Sequence, residues 1–111
     1  MKVCVTSTGT SLDDEIDEEF GHCAYFLIVD TDTMDVTAVK NEGHDAEIGA
    51  GIFAAETVVK LGCQAVITGW VGPHGQNKLA KSNIRIVMDE EGPARMAVEK
   101  FIKKYAKKQG P

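Results

Sequence analysis

The side chains with the most chemical potential lie in a few short segments. His22 and Cys23 are adjacent in Phe20-Gly21-His22-Cys23, and His74 follows Gly72-Pro73. Imidazole and thiolate both suit soft or borderline metals, so His22, Cys23 and His74 are the candidate metal ligands. Each has a plainer reading: His22 facing solvent, Cys23 packed under its loop, His74 as a polar residue at a helix start. His44 reads as a solvated loop residue, Cys4 as part of an apolar strand, and Cys63 as an incidental thiol. Three cysteines with no CxxC pair argue against a disulfide framework and against a self-contained zinc site. The run Asp13-Asp14-Glu15 and Asp17-Glu18-Glu19 offers hard oxygen ligands. It lacks the alternation and central glycine of an EF-hand loop, so it reads as a solvated loop.

Glycines accompany these residues. Gly9, Gly21, Gly49, Gly51, Gly69 and Gly72 let backbone approach a ligand closely, and they are the candidate cofactor contacts together with His22, Cys23, Trp70 and His74. Turns alone also require glycine. Trp70, in a glycine-rich loop, is placed either to cover a ligand or to meet a partner.

The elements that position these residues follow from pattern. Val3 to Thr6, Tyr25 to Val29, Val36 to Val39, Ala65 to Thr68 and Ile84 to Val87 read as strands, the second and third as a hairpin. Ala50 to Leu61 reads as a helix ended by Gly62. Its apolar residues, Ile52, Phe53, Ala55, Val58 and Val59, wrap widely and predict a well-buried helix. Pro73 opens a short helix through about Lys81. Ala94, Ala97, Val98, Phe101, Ile102 and Tyr105 mark a final helix from about Pro93 to Lys107. The order is β-β-β-α-β-α-β-α, an α/β fold in one domain spanning 1–111, with no repeat and no linker.

With 111 residues and 43% hydrophobic content the chain can build a real core. A net charge of -5 excludes nucleic-acid binding through the overall field, and Lys100, Lys103, Lys104, Lys107 and Lys108 read as a solvated helix face and tail. No apolar run has membrane-spanning length and the N-terminus lacks a signal-peptide pattern. The expected location is the cytoplasm and the expected state a monomer.

Crossover helices make the third, fourth and fifth strands parallel. With the first strand parallel to them and the second antiparallel, Ser7-Thr8-Gly9, Phe20 to Cys23, Gly49-Ala50-Gly51 and Gly69 to Gly75 share the carboxyl edge of the sheet. That edge is where open α/β sheets bind ligands. Two of these loops feed helix N-termini, whose free N–H groups and dipoles favour an anion. Asp89, Glu90 and Glu91 near the same edge oppose one.

Several segments, in order, carry a family resemblance: Met1-Lys2-Val3, Leu12-Asp13 through Asp17-Glu18-Glu19-Phe20-Gly21, Tyr25 to Asp30, Gly49-Ala50-Gly51-Ile52, and Val66-Ile67-Thr68-Gly69 with Gly72-Pro73. They resemble the dinitrogenase iron–molybdenum cofactor-binding family. The resemblance covers nearly the whole chain. It implies a ribonuclease H-like three-layer fold with a mixed five-stranded sheet and helices on both faces. It also implies binding or carriage of an anionic metal–sulfur cluster, of iron–molybdenum or molybdenum–copper sulfide type, without catalysis. Partner proteins that donate or accept the cofactor are implied with it. The family commonly has Phe-Gly-Arg where this chain has Phe20-Gly21-His22, and a histidine where it has Ile48. His22, Cys23 and His74 then suggest a relocated ligand set.

Three functions follow. The first is a cofactor carrier. The second is an enzyme, but a metal-dependent nuclease needs carboxylates on central strands and the first and fourth strands have none. A thiol oxidoreductase lacks a resolving cysteine near Cys23. The third is a protein-interaction module with a degenerate cofactor site, contacting its partner through Trp70.

Overall fold

The computed structural model describes residues 1–105. The expected end of the last helix at Lys107, and Lys108, lie outside the described residues. Five strands and three helices are formed: β1 (Lys2–Ser7), β2 (Tyr25–Asp30), β3 (Val36–Lys40), α1 (Ala50–Lys60), β4 (Ala65–Ile67), α2 (Pro73–Lys81), β5 (Arg85–Val87) and α3 (Ala94–Lys104). The sheet order is β3-β2-β1-β4-β5. β2 is antiparallel to both neighbours, and β1, β4 and β5 are parallel. This is the mixed five-stranded, ribonuclease H-like sheet with helices on both faces.

Strand alternation sorts the interior into two layers. Cys4, Phe26, Ile28 and Val66 point to one face, where Ala54, Ala55 and Val58 of α1 and Leu79 of α2 cover them. Val3, Val5, Leu27, Val29 and Ile67 point to the other, under Ala94, Ala97, Val98 and Phe101 of α3. Burying each such Val, Leu, Ile or Phe contributes roughly 1.5–3 kcal/mol. Helices of 9 to 11 residues are marginal alone, so this packing holds them.

α1 departs from the expected burial. Ala50, Ala54, Ala55 and Val58 are buried, but Ile52, Phe53 and Val59 are 41%, 43% and 39% exposed. α1 has α2 beside it and the loop at Gly43 against Phe53, which leaves these three side chains only partly covered. Gly62 follows with φ 75°, the left-handed residue that closes a helix.

The polar loop after β1 is an ordered strap. Leu12 and Ile16 are buried in the α3 layer, whereas Phe20 and Cys23 are buried in the α1–α2 layer. The loop thus passes over the carboxyl edge of the sheet from one face to the other. Its carbonyls also occupy the start of α3: the Ala94 and Arg95 N–H groups donate to Asp14 O and Leu12 O, at 2.9 and 2.8 Å. No helix is long and apolar enough to cross a membrane, among the described residues.

Candidate functional site

The loops at the carboxyl edge are hydrogen-bonded into one rim. Trp70 N–H donates to Glu18 O at 2.7 Å, and Phe20 N–H donates back to Trp70 O at 2.9 Å. Asp89 N–H donates to Gly69 O at 2.8 Å, and Ile16 N–H to Gly92 O at 2.8 Å. Below them, Thr6 Oγ1 lies 2.8 Å from Asp17 O and 2.7 Å from Thr68 Oγ1. Thr6 therefore donates to the carbonyl and accepts from Thr68.

The first turns of α1 and α2 open onto this rim. Both helices follow parallel strands, so their N-termini point the same way. Gly49 (φ 77°) and Gly72 are their N-cap residues, and neither end has a side-chain cap. The first-turn N–H groups of Ala50 to Ile52 and of His74 and Gly75 have no acceptor within their own helices; Ala50 and Gly75 are buried, whereas Gly51, Ile52 and His74 lie nearer the surface. This contrasts with α3, whose first N–H groups the strap already takes.

Three glycines set how close these ends come. A Cβ on Gly21 would lie 2.8 Å from Gly51 N and 3.0 Å from the Ala50 carbonyl carbon. A Cβ on Gly51 would point at Gly75, 3.9 Å from both its N and its Cα. A Cβ on Gly75 would in turn lie 3.4 Å from Gly51 O. The strap, α1 and α2 thus meet backbone to backbone, and where Gly21 meets α1 the approach is one that only glycine permits. Gly69 acts alike at the strap's other crossing, where a Cβ would fall 2.5 Å from Glu18 O.

Asn41, just after β3, is 1% exposed and fixes Gly21 from behind. Its Nδ2 donates to Gly21 O at 3.0 Å and Cys23 O at 2.9 Å, and its Oδ1 accepts from Gly43 N–H at 3.0 Å. Asn41→Ala removes three bonds and leaves buried carbonyls unpaired. A loss of about 1–3 kcal/mol per unsatisfied group is expected, measurable as a lower urea midpoint at unchanged m.

His22 is half-exposed, with Nε2 3.0 Å from Ala46 O and Nδ1 3.3 Å from Glu19 Oε1. The Nε2–H, donating to Ala46 O, ties the strap to the loop before α1. His74 is exposed on the first turn of α2. His44 pairs with Asp45 in solvent. Cys23 corrects its expected place: its thiol is fully buried against Asn41 Nδ2 at 3.7 Å, and burial pushes its pKa up. Burial likewise raises Cys4, with Cys63 and Cys23 adding to the effect, and pushes Cys63 up to about 11. These thiols stay protonated near neutrality and are poor metal ligands. Among the described residues no group of three His, Cys, Asp or Glu could hold a metal ion, so His22, Cys23 and His74 do not form one ligand set.

A cleft of about 650 Å³ opens beside Trp70, and its lining includes Glu15, Glu18, Asp89, Glu90 and Glu91. Five carboxylates make it unfit for an anion. Gly72 is not part of that lining, and the Trp70 indole lies within 3.4 Å of a Cβ built on it.

The structure thus gathers Gly21, Gly49, Gly51, Gly72 and His74 at the two helix starts, with His22, Gly69 and Trp70 beside them. Gly9 lies apart: the space beside it is filled by the Asp14 carboxylate, and its N–H donates to Ser7 Oγ at 3.1 Å. Sequence reasoning missed Gly75 and Asn41. A glycine in the first turn of an expected helix was the available signal for Gly75; nothing local marked Asn41.

Fold and site together define a three-layer α/β protein whose sheet edge carries two helix N-termini without side-chain caps. The chain belongs to the dinitrogenase iron–molybdenum cofactor family, whose model matches residues 1–104. It is similar to the apo orange protein of Desulfovibrio gigas, with 36% identity over 93% of this chain and 88% of that one, and a TM-score of 0.89. It is similar also to a candidate NifB protein of the DUF35 family from Thermotoga, with 26% identity over 92% of this chain and 87% of that one, and a TM-score of 0.79. A candidate dinitrogenase from Methanocaldococcus jannaschii shares the fold at 24% identity over 94% and 89%, with a TM-score of 0.68. A comparison with the curated proteins finds no match. Membership of this family assigns the chain a cofactor-binding role.

Proposed function

We propose that this protein carries an anionic metal–sulfur cluster, of iron–molybdenum or molybdenum–copper sulfide type, in the cradle between the N-termini of α1 and α2, and catalyses no reaction. One observation carries the reading: the glycine contacts leave no side chain between two uncapped helix starts that aim together. Sulfide-rich anions accept hydrogen bonds from such amides, and each helix end favours negative charge by up to ~2 kcal/mol when partly buried. The N–H groups of Gly51, Ile52 and His74 would hold the cargo, with the exposed His74 imidazole as an adjustable contact. Amide binding suits carriage because it reverses without breaking protein–metal bonds. Membership of a cofactor family and likeness to the orange protein support this reading.

The test is reconstitution with copper(I) and tetrathiomolybdate under anaerobic conditions, followed by desalting and elemental analysis. Retained molybdenum at a fixed ratio to protein supports the reading; metal-free protein defeats it. Gly51→Ala sharpens the test. Its methyl makes ordinary contact with Gly75, and a helical Gly→Ala change stabilises by up to ~1 kcal/mol. The variant is expected to melt no lower than the parent yet retain less molybdenum, because the methyl fills the gap between the helix starts.

A further inference from the structure

The rim around the cradle has the wrong charge for catching a free anion. Twelve of the chain's 17 carboxylates fall in the segments 8–24, 41–49 and 88–93, which contain no lysine or arginine. Hydrogen bonds join the strap to the segment 69–72, that segment to 88–93, and the strap to 41–49 through Asn41 and His22. Asp13 and Glu90 are paired with Arg95 and Lys100 of α3, at 2.9 and 3.1 Å, and the other ten carboxylates make the joined segments one acidic collar. Within it two large apolar side chains stand in solvent: Ile48, 93% exposed just before α1, and Trp70, 55% exposed just before α2. An apolar pair flanking a site, inside a ring of one charge, has the layout of a protein-docking surface.

We propose that the cradle is loaded and emptied through a docked protein whose contact face is basic around an apolar centre, and that uptake of the free anion is the disfavoured route. The inference rests on the cofactor reading. The collar repels a dianion at long range and attracts a lysine- or arginine-rich face, and both effects weaken as salt screens them. Docking then covers Ile48 and Trp70, and the partner's cations neutralise the collar while the anion crosses. The two routes therefore have opposite salt dependence.

Stopped-flow emission of Trp70, the one tryptophan, reads uptake of tetrathiomolybdate presented free or on a lysine-rich amphipathic peptide. Free uptake is expected to accelerate about tenfold or more between roughly 10 and 300 mM salt, whereas peptide-delivered uptake slows. Glu18→Gln/Glu47→Gln/Glu91→Gln alters three exposed carboxylates that make no ion pair among the described residues. It is expected to speed free uptake at low salt and to flatten both salt dependences. Free uptake that is fastest at low salt, or peptide delivery indifferent to salt and to the triple variant, overturns the proposal. If anion is retained at equilibrium in either case, the cofactor reading survives; if none is retained at any salt, both fall.

Discussion

Gly21→Ala is expected to weaken binding of the metal–sulfur anion by about tenfold or more while the chain still folds. The added methyl would sit 2.8 Å from Gly51 N and 3.0 Å from the Ala50 carbonyl carbon. Both are backbone atoms in the first turn of α1, so no side chain can rotate aside. The strap must lift or α1 must shift, and overpacking of this kind costs about 1–3 kcal/mol. Against a total stability of roughly 5–15 kcal/mol the fold survives. Binding suffers more, because the methyl stands before the Gly51 N–H itself. A hydrogen bond to a charged acceptor is worth about 1.5–3 kcal/mol, so a Kd raised by roughly tenfold to a hundredfold or more is expected. Titration of thermally intact variant with tetrathiomolybdate and copper(I) measures it. A Kd equal to the parent's would mean that the cargo does not meet the start of α1.

Phe20→Ala is expected to have the largest effect on stability. Phe20 is 1% exposed and packs on Phe26, with ring centroids 6.0 Å apart. It is the point at which the strap, having crossed the sheet edge, anchors in the α1–α2 layer. Deleting a buried phenyl ring costs about 3–5 kcal/mol. In a domain of this size the melting temperature is expected to fall by more than about 10 °C. Phe20→Leu retains most of the volume and is expected to recover most of the loss. Because Gly21 follows directly, Phe20→Ala should also release the strap from α1, seen as faster amide exchange at Gly21 and His22. A melting temperature within about 2 °C of the parent would show that the strap is held by its hydrogen bonds alone.

Much of this was legible before any coordinates. The period of α3 from Ala94 to Phe101 and the alternation of β1 and β2 mark which side chains enter the core. Right-handed crossovers bring Gly21, Gly51 and Gly72 to one edge. What stayed hidden depended on contacts between distant segments. Ile52, Phe53 and Val59 suggest a buried α1, yet nothing in their spacing tells how many neighbours the helix has. Cys23 beside His22 suggests a ligand pair, but the thiol's direction is set by Asn41, 18 residues later. The acidic stretch reads as a solvated loop, and its charges are mostly exposed. Its apolar members Leu12, Ile16 and Phe20 lack strand or helix periodicity, so their role as anchors emerges only when both faces of the sheet are present. The glycines had two readings, turn or ligand contact. The structure adds a third, in which the bare Cα of Gly21 lets the strap rest on the backbone of α1.

The claim beneath these expectations is that the guest is held by the amides that begin α1 and α2. Nitrogen-15 amide spectra of the protein, before and after loading with the diamagnetic copper(I)–thiomolybdate anion, address it most directly. The largest shifts are expected at Gly51, Ile52 and His74, with smaller ones at Gly21 and Trp70. Shifts centred instead on Glu15, Glu18 and Glu90 to Gly92, or spread without focus over the surface, would contradict it.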